Sequence, residues 1–132
     1  MGDFNEWILK VNNGKKSCLV SQNNPKDLEQ LWNGFQIVGI EDPLHYRNLD
    51  LHSVAIAYHL LNNIEIPSSD KLESNLSSTY LSEFVGIPDE PKPHSTALAG
   101  VLQTAEIYNR LMFGKKLLEE FRQFEVPIYL LK

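Results

Sequence analysis

A helix-rich α/β domain with a short, incomplete sheet is the fold class this sequence predicts, and three observations predict it. Ser17-Cys18-Leu19-Val20-Ser21 is a short apolar run bounded by polar residues, the pattern of a buried strand. Leu49-Asp50-Leu51 is a second strand-like triplet, placed directly before a helical pattern. From Asp50 to Asn62 the chain carries Val54, Ala55, Ile56, Ala57, Tyr58, Leu60 and Leu61. A helix that is apolar on almost every side packs on more than one side. Two short strands make a poor sheet alone. With five or six helices beside them, the inventory reads as the second half of an α/β domain.

The elements follow in order. Asp3 is a candidate cap for a short helix through Asn5-Glu6-Trp7-Ile8-Leu9-Lys10, and Asn12-Asn13-Gly14 is a stop or turn. After the first strand, Asn24 is a plausible N-cap and Pro25 sits well at a first helical position. Leu28, Leu31, Trp32 and Phe35 then recur at helical spacing until Gly39. Pro43 to Asn48 is a loop, and so is Ile64 to Asp70. Leu76, Tyr80, Leu81 and Phe84 mark a further helix, closed by Gly86. Pro88, Pro91 and Pro93 hold the next connector extended. A long helix is expected from about Ser95 to Phe113, with Leu98, Val101, Leu102, Ala105, Tyr108 and Met112 on its inner face. A last helical piece is expected over Lys115 to Phe124, stopped by Pro127.

Length and composition bound the function classes. At 132 residues and 42% hydrophobic, a single domain spanning 1–132 is the natural expectation. Lys+Arg number 12 against 17 Asp+Glu, a net charge of −5, so the chain is no bulk polyanion binder. It could still grip one nucleic-acid end locally, because metal ions offset phosphate charge. The single Cys18 excludes an internal disulfide and a cysteine zinc cluster, and in its apolar run it reads as a buried small hydrophobe. No apolar leader or membrane-length run is visible, so a cytoplasmic protein without a membrane partner is expected.

Three constellations could carry chemistry. Asp27 follows a strand and loop and sits in the first turn of a helix, where it either binds a divalent cation or complements the helix dipole. His94, between Pro93 and Ser95 at the mouth of the long helix, is either a general base acting on water or a cap-region residue. His52 and His59 share a helix face two turns apart, a spacing that argues against zinc. His45-Tyr46-Arg47 is a phosphate contact or simply a polar loop, and Lys115-Lys116 is a solvated face.

Taken in order, these blocks resemble the histidine-type DEDD family of 3′–5′ exonucleases, which includes the proofreading subunit of bacterial DNA polymerase III. The likeness covers about residue 18 to the C-terminus. The family's middle block reads roughly valine-glycine-histidine-asparagine, two residues, then phenylalanine-aspartate before a leucine-rich helix. Here it stands as Leu19-Val20-Ser21-Gln22-Asn23-Asn24-Pro25-Lys26-Asp27-Leu28, with Asn23 and Asp27 on matching positions and Gln22 in place of the histidine. Tyr46 to Ala55 is similar to the strand-to-helix segment that follows. The last block is histidine, four residues and aspartate, with threonine-alanine downstream. Pro93-His94, Ala97-Leu98 and Thr104-Ala105 keep its frame. The aspartate position falls on Gly100 or Ala99, neither of which can ligate a metal through its side chain.

The resemblance implies a ribonuclease-H-like three-layer fold, of which this chain would be the C-terminal portion, lacking the first strands and the opening aspartate-any-glutamate block. It implies two Mg or Mn ions and phosphodiester hydrolysis at a nucleic-acid 3′ end, single-stranded DNA or RNA. His94 would be the catalytic base, Asp27 a metal ligand, and Gln22 and Asn23 substrate contacts. Two-metal chemistry needs a cluster of carboxylates. With Asp27 the one matching acid and Glu106 a conceivable substitute further along the helix, activity would need a completing segment. A degenerate module that binds nucleic acid or protein is the alternative. An unfinished sheet also predicts exposed apolar surface, hence a homo-oligomer or a partner that completes it.

Overall fold

The computed structural model describes residues 1–23, 25–70, 73–88 and 96–131. They divide into two compact units, Met1–Asp50 and Leu51–Lys132, each with its own core.

In the first unit, helix α1 (Gly2–Val11) begins earlier than Asp3 as a cap would allow. Met1 takes the N-cap position without a side-chain hydrogen bond, and Asp3 lies in the first turn, where a carboxylate favours the helix dipole. The expected turn closes the helix: Asn13 (φ 52°) and Gly14 (φ 75°) are left-handed, and the Gly14 N–H reaches Leu9 O at 2.7 Å. Strand β1 (Val20–Ser21) then leads to α2 (Pro25–Ile37) and strand β2 (Leu49–Asp50). The strands are parallel, pairing Val20 with Leu49 and Ser21 with Asp50, so β1-α2-β2 is a crossover unit. Pro25 occupies the first helical position, as its fixed φ and missing N–H favour. Leu28 and Phe35 of α2 turn inward, and Phe35 joins Ile8 and Leu44 in the core with Phe4, Leu31 and Ile40 around them.

Cys18 is a correction. It is exposed rather than buried. Two strands bury little, and no residue from Ser17 to Ser21 is fully covered.

The second unit holds α3 (Leu51–Leu61), α4 (Ser78–Phe84) and α5 (Ala97–Phe113), followed by short 3₁₀ turns at Glu119–Phe121 and Ile128–Leu130. Helices α3 and α4 and the final turn pack on α5. Ser77 caps α4 by accepting the Tyr80 N–H, and Leu76 just before it joins Leu81 in the buried cluster, the residue pair of a hydrophobic staple. Thr96 caps α5 through the Ala99 N–H, and left-handed Gly114 ends it. Helix α3 buries Leu51, Ala55 and His59 along one face, whereas Leu60 and Leu61 stay exposed. Its apolar circumference is therefore only partly used.

Two expectations fail here for one reason. The buried face of α5 is Gln103, Glu106, Ile107, Arg110 and Leu111, while Leu98 and Val101 are about two-thirds exposed. The helix is turned so that an ion pair faces inward. Arg110 Nε donates to Glu106 Oε1 at 2.7 Å, both side chains wholly buried. The guanidinium spends its other four N–H groups on backbone carbonyls: Nη1 on Val85 and Glu125, Nη2 on Phe121 and Phe124. Glu106 Oε2 accepts the Leu117 and Leu118 N–H groups at 3.0 and 2.8 Å. The carbonyls and amides of 117–125 are thus turned toward α5. A regular helix over Lys115 to Phe124 would need them for itself, and only the Glu119–Phe121 turn forms.

Two glycines let this tail lie close. A Cβ on Gly86 (φ 84°) would sit 2.5 Å from Glu125 O, and one on Gly114 (φ 63°) would meet Leu130 O. Both positions are left-handed as well as crowded, so no other residue fits without strain.

The fold class is mixed α/β, with helices predominating over one two-stranded parallel sheet among the described residues. No helix among them is long and apolar enough to cross a membrane.

Arg110→Met removes one partner and strands Glu106 in the interior, so it is expected to cost about 3–5 kcal/mol in chemical denaturation. Arg110→Met with Glu106→Gln should cost less than the single change, because the glutamine still accepts an amide N–H without a buried charge.

Candidate functional site

The crossover unit places Gln22, Asn23 and, in the first turn of α2, Asp27 after the carboxyl end of β1, the end of the strands where open α/β sheets place their ligands. Gln22 and Asn23 follow β1 directly. Gln22 is half-buried, and Asn23 is exposed with φ 57°. Asparagine tolerates this left-handed conformation better than other side chains bearing a Cβ. The conformation turns the Asn23 N–H toward the end of β2, where it donates to Asp50 Oδ1 at 2.8 Å. Asp50 is a carboxylate that sequence reasoning missed as a site residue. The available signal was its place at the end of the second strand-like triplet, one strand over from the asparagine loop. Beside it, Ser21 Oγ is buried and has no hydrogen-bond partner among the described residues. A buried hydroxyl left unpaired is unfavourable in a folded protein.

Asp27 lies in the first turn of α2, exposed to solvent. A carboxylate there complements the helix dipole. Asn24 and the segment holding His94 lie outside the described residues.

The last block is described from Thr96 onward. Gly100 is exposed on α5, and a Cβ there meets open space among the described residues, so packing does not require the glycine. Ala99 is half-buried. Glu106 is not available as a substitute carboxylate. Both of its oxygens are consumed by Arg110 and the Leu117 and Leu118 amides, at complete burial. Among the described residues no three His, Cys, Asp or Glu side chains converge to hold a metal ion. Asp27 and Asp50 by themselves do not make a two-metal cage.

The remaining histidines separate. His52 Nε2 lies 2.8 Å from Ser74 Oγ near the surface. His59 is wholly buried, with Nδ1 2.8 Å from Ala55 O and Nε2 3.1 Å from Tyr80 Oη. A backbone carbonyl only accepts, so Nδ1 carries the proton and Nε2 receives the tyrosine hydroxyl. Phe84 lies against this ring at 4.6 Å between centroids, and Tyr129 lies 5.3 Å from Phe84. Tyr58 Oη donates to Tyr129 O, and Tyr129 Oη to Phe84 O. The cluster is a satisfied aromatic core that staples the tail to α3 and α4. Burial raises the Tyr80 phenol above its ordinary value of 10.0, and burial followed by the neighbouring Tyr80 and Tyr58 raises Tyr129.

A cavity of about 270 Å³ in the first unit is lined by Asn5, Leu9, Gly14, Lys16, Glu41, Asp42 and Pro43. It falls below the usual size of a small-molecule site, and the Lys16–Glu41 ion pair occupies its lining.

Comparison of the chain with protein-family models, with curated proteins and with solved structures gives no match.

Asn23→Gly should leave stability within about 0.5 kcal/mol, and Asn23→Val should lower it by about 1–2 kcal/mol, because a branched Cβ clashes in the left-handed region. Urea denaturation checks the pair. Tyr80 and Tyr129 should ionise above the ordinary tyrosine value in an ultraviolet absorbance titration. Their folded pKa values exceed the unfolded ones, so the stability they contribute is complete below about pH 10 and is lost as pH rises through the folded values. Unfolding midpoints should therefore fall as pH rises above about 10.

Proposed function

We propose that the chain is a 3′–5′ exonuclease-like protein, built on part of a ribonuclease-H-like layout, that engages the 3′ end of single-stranded nucleic acid. One observation supports this above the others: the Asn23 loop and Asp50 lie hydrogen-bonded together at the carboxyl end of a parallel strand pair, with Asp27 in the first turn of the crossover helix. In this reading the Gln22–Asn23 loop contacts the terminal nucleotide. The exposed Asn23 side-chain amide offers a donor and an acceptor to the terminal ribose hydroxyl.

Hydrolysis is a further requirement that these residues do not meet by themselves. Two-metal catalysis needs carboxylates clustered around ions roughly 3.5–4 Å apart, and a Mg ion held by a single carboxylate keeps most of its waters. The residues described do not fit a pair of Mg or Mn ions, so no hydrolytic step is derived from them. Binding without turnover is the activity they support best. Catalysis would call on acidic groups from another segment or chain, with His94 as the base beside them.

The test is anisotropy of a labelled single-stranded oligonucleotide carrying either a free 3′ hydroxyl or a 3′ phosphate. The free end should bind about fivefold more tightly, the worth of one good hydrogen bond. Asn23→Val should erase that preference. Equal binding of the two oligonucleotides, or none, would overturn the reading. Release of nucleotides in Mg or Mn, abolished by Asp27→Ala, would extend it from binding to hydrolysis.

A further inference from the structure

The parallel ladder of the first unit contains a mismatch in length. Ser17 bridges Leu44, and the next pairs are Val20 with Leu49 and Ser21 with Asp50. Three steps of chain on one side therefore face five on the other, so the segment between Leu44 and Leu49 loops out between two fixed pairing points.

This loop holds His45, Tyr46 and Arg47. The His45 ring stacks on Tyr46 at 4.4 Å between centroids with 30° between planes. The Arg47 guanidinium carbon lies 5.3 Å from the centre of the same ring. His45 Nδ1 accepts the Arg47 backbone N–H at 3.0 Å, which ties the three residues into one turn. Tyr46 is nevertheless 72% exposed, and Arg47 forms no ion pair with a carboxylate among the described residues. An aromatic ring in contact with its two neighbours, largely open to solvent and beside a planar cation without a carboxylate partner, adds little to the core beneath it. Its chemistry suits a flat, anionic polymer: the ring offers a stacking face, and the guanidinium offers charge to a phosphate.

We propose that His45-Tyr46-Arg47 is a stacking platform for a base of single-stranded nucleic acid, with Arg47 on the adjoining phosphate. The proposal rests on the reading of the Asn23 loop as the seat of the 3′ end. Arg47 and Asp50 are three residues apart, at most about 11 Å of chain. The platform thus lies within a short stretch of strand from the terminal nucleotide. It would hold an upstream base irrespective of its identity, because every base has a stacking face.

The experiment uses the full chain and two labelled single strands of equal length and charge, oligothymidylate and an abasic oligomer. Oligothymidylate should bind the wild-type chain about 5- to 150-fold more tightly than the abasic strand, the range expected for stacking one base. Tyr46→Ala should bring oligothymidylate down to the abasic level and leave abasic binding unchanged. Tyr46→Phe should keep the difference, since it keeps the ring. Arg47→Ala should weaken both strands equally. Equal wild-type binding of the two strands overturns the platform, and so does a Tyr46→Ala chain that retains full discrimination. If Tyr46→Ala fails to fold, the wild-type comparison and Tyr46→Phe still decide. The two proposals fail separately. Preference for a free 3′ hydroxyl without dependence on Tyr46 sinks only the platform. Dependence on Tyr46 without 3′ preference sinks only the end-binding reading. No binding to either strand sinks both.

Discussion

Arg110 and Glu106 form the buried ion pair on which the second unit depends. A guanidinium has five N–H donors, and each of them meets an acceptor here: one carboxylate oxygen and four backbone carbonyls. The carboxylate is equally complete, with one oxygen on Arg110 and the other on two amides. Desolvating two charges is tolerable only under such conditions. The same bonds dictate the path of the chain after α5, because irregular backbone can be buried only when its polar groups are paired. The close approaches at Gly86 and Gly114 follow from that path. Lys116 adds an outer clasp, donating to Glu125 and to Arg122 O, and it holds the exposed Glu125 carboxyl below the ordinary range.

The first unit is organised differently. Its core is small, and its parallel ladder is short and interrupted. What the ladder achieves is placement. It brings the end of β1 against the end of β2, so that Asn23 and Asp50, 27 positions apart, share a hydrogen bond. Its mismatch in length throws Tyr46 outward between two fixed pairing points. Tyr46, Trp7 and Trp32 are exposed, and at Tyr46 the contacts with His45 and Arg47 supply a chemistry to go with the exposure.

The positions where an exonuclease resemblance would place metal ligands carry no free carboxylate on α5 among the described residues. Glu106 is withdrawn by its structural task, and Gly100 faces open space without a ligating group. Contacts made by backbone amides and an asparagine need no metal, whereas two-metal hydrolysis needs clustered carboxylates.

Much of the local structure was legible without coordinates. Pro25 and the glycines at 14, 39 and 86 act over three or four residues, through fixed φ or a left-handed turn, so the helix limits they set are readable from the chain, whereas the Ser77 and Thr96 caps emerged only in the fold. The triplet at Leu49 was readable as a strand for the same local reason. Which face of α5 turns inward was not. Counting apolar residues selects Leu98 and Val101, whereas the folded chain buries Gln103, Glu106 and Arg110, because Gln103 Nε2 finds Ser82 Oγ at 2.7 Å and the charges find each other and the tail. Those partners lie 4 to 25 positions away, and sequence spacing says nothing about whether they will meet. The register that exposes Tyr46 and joins Asn23 to Asp50 is likewise a property of pairing between distant segments, so only the tertiary structure could decide it.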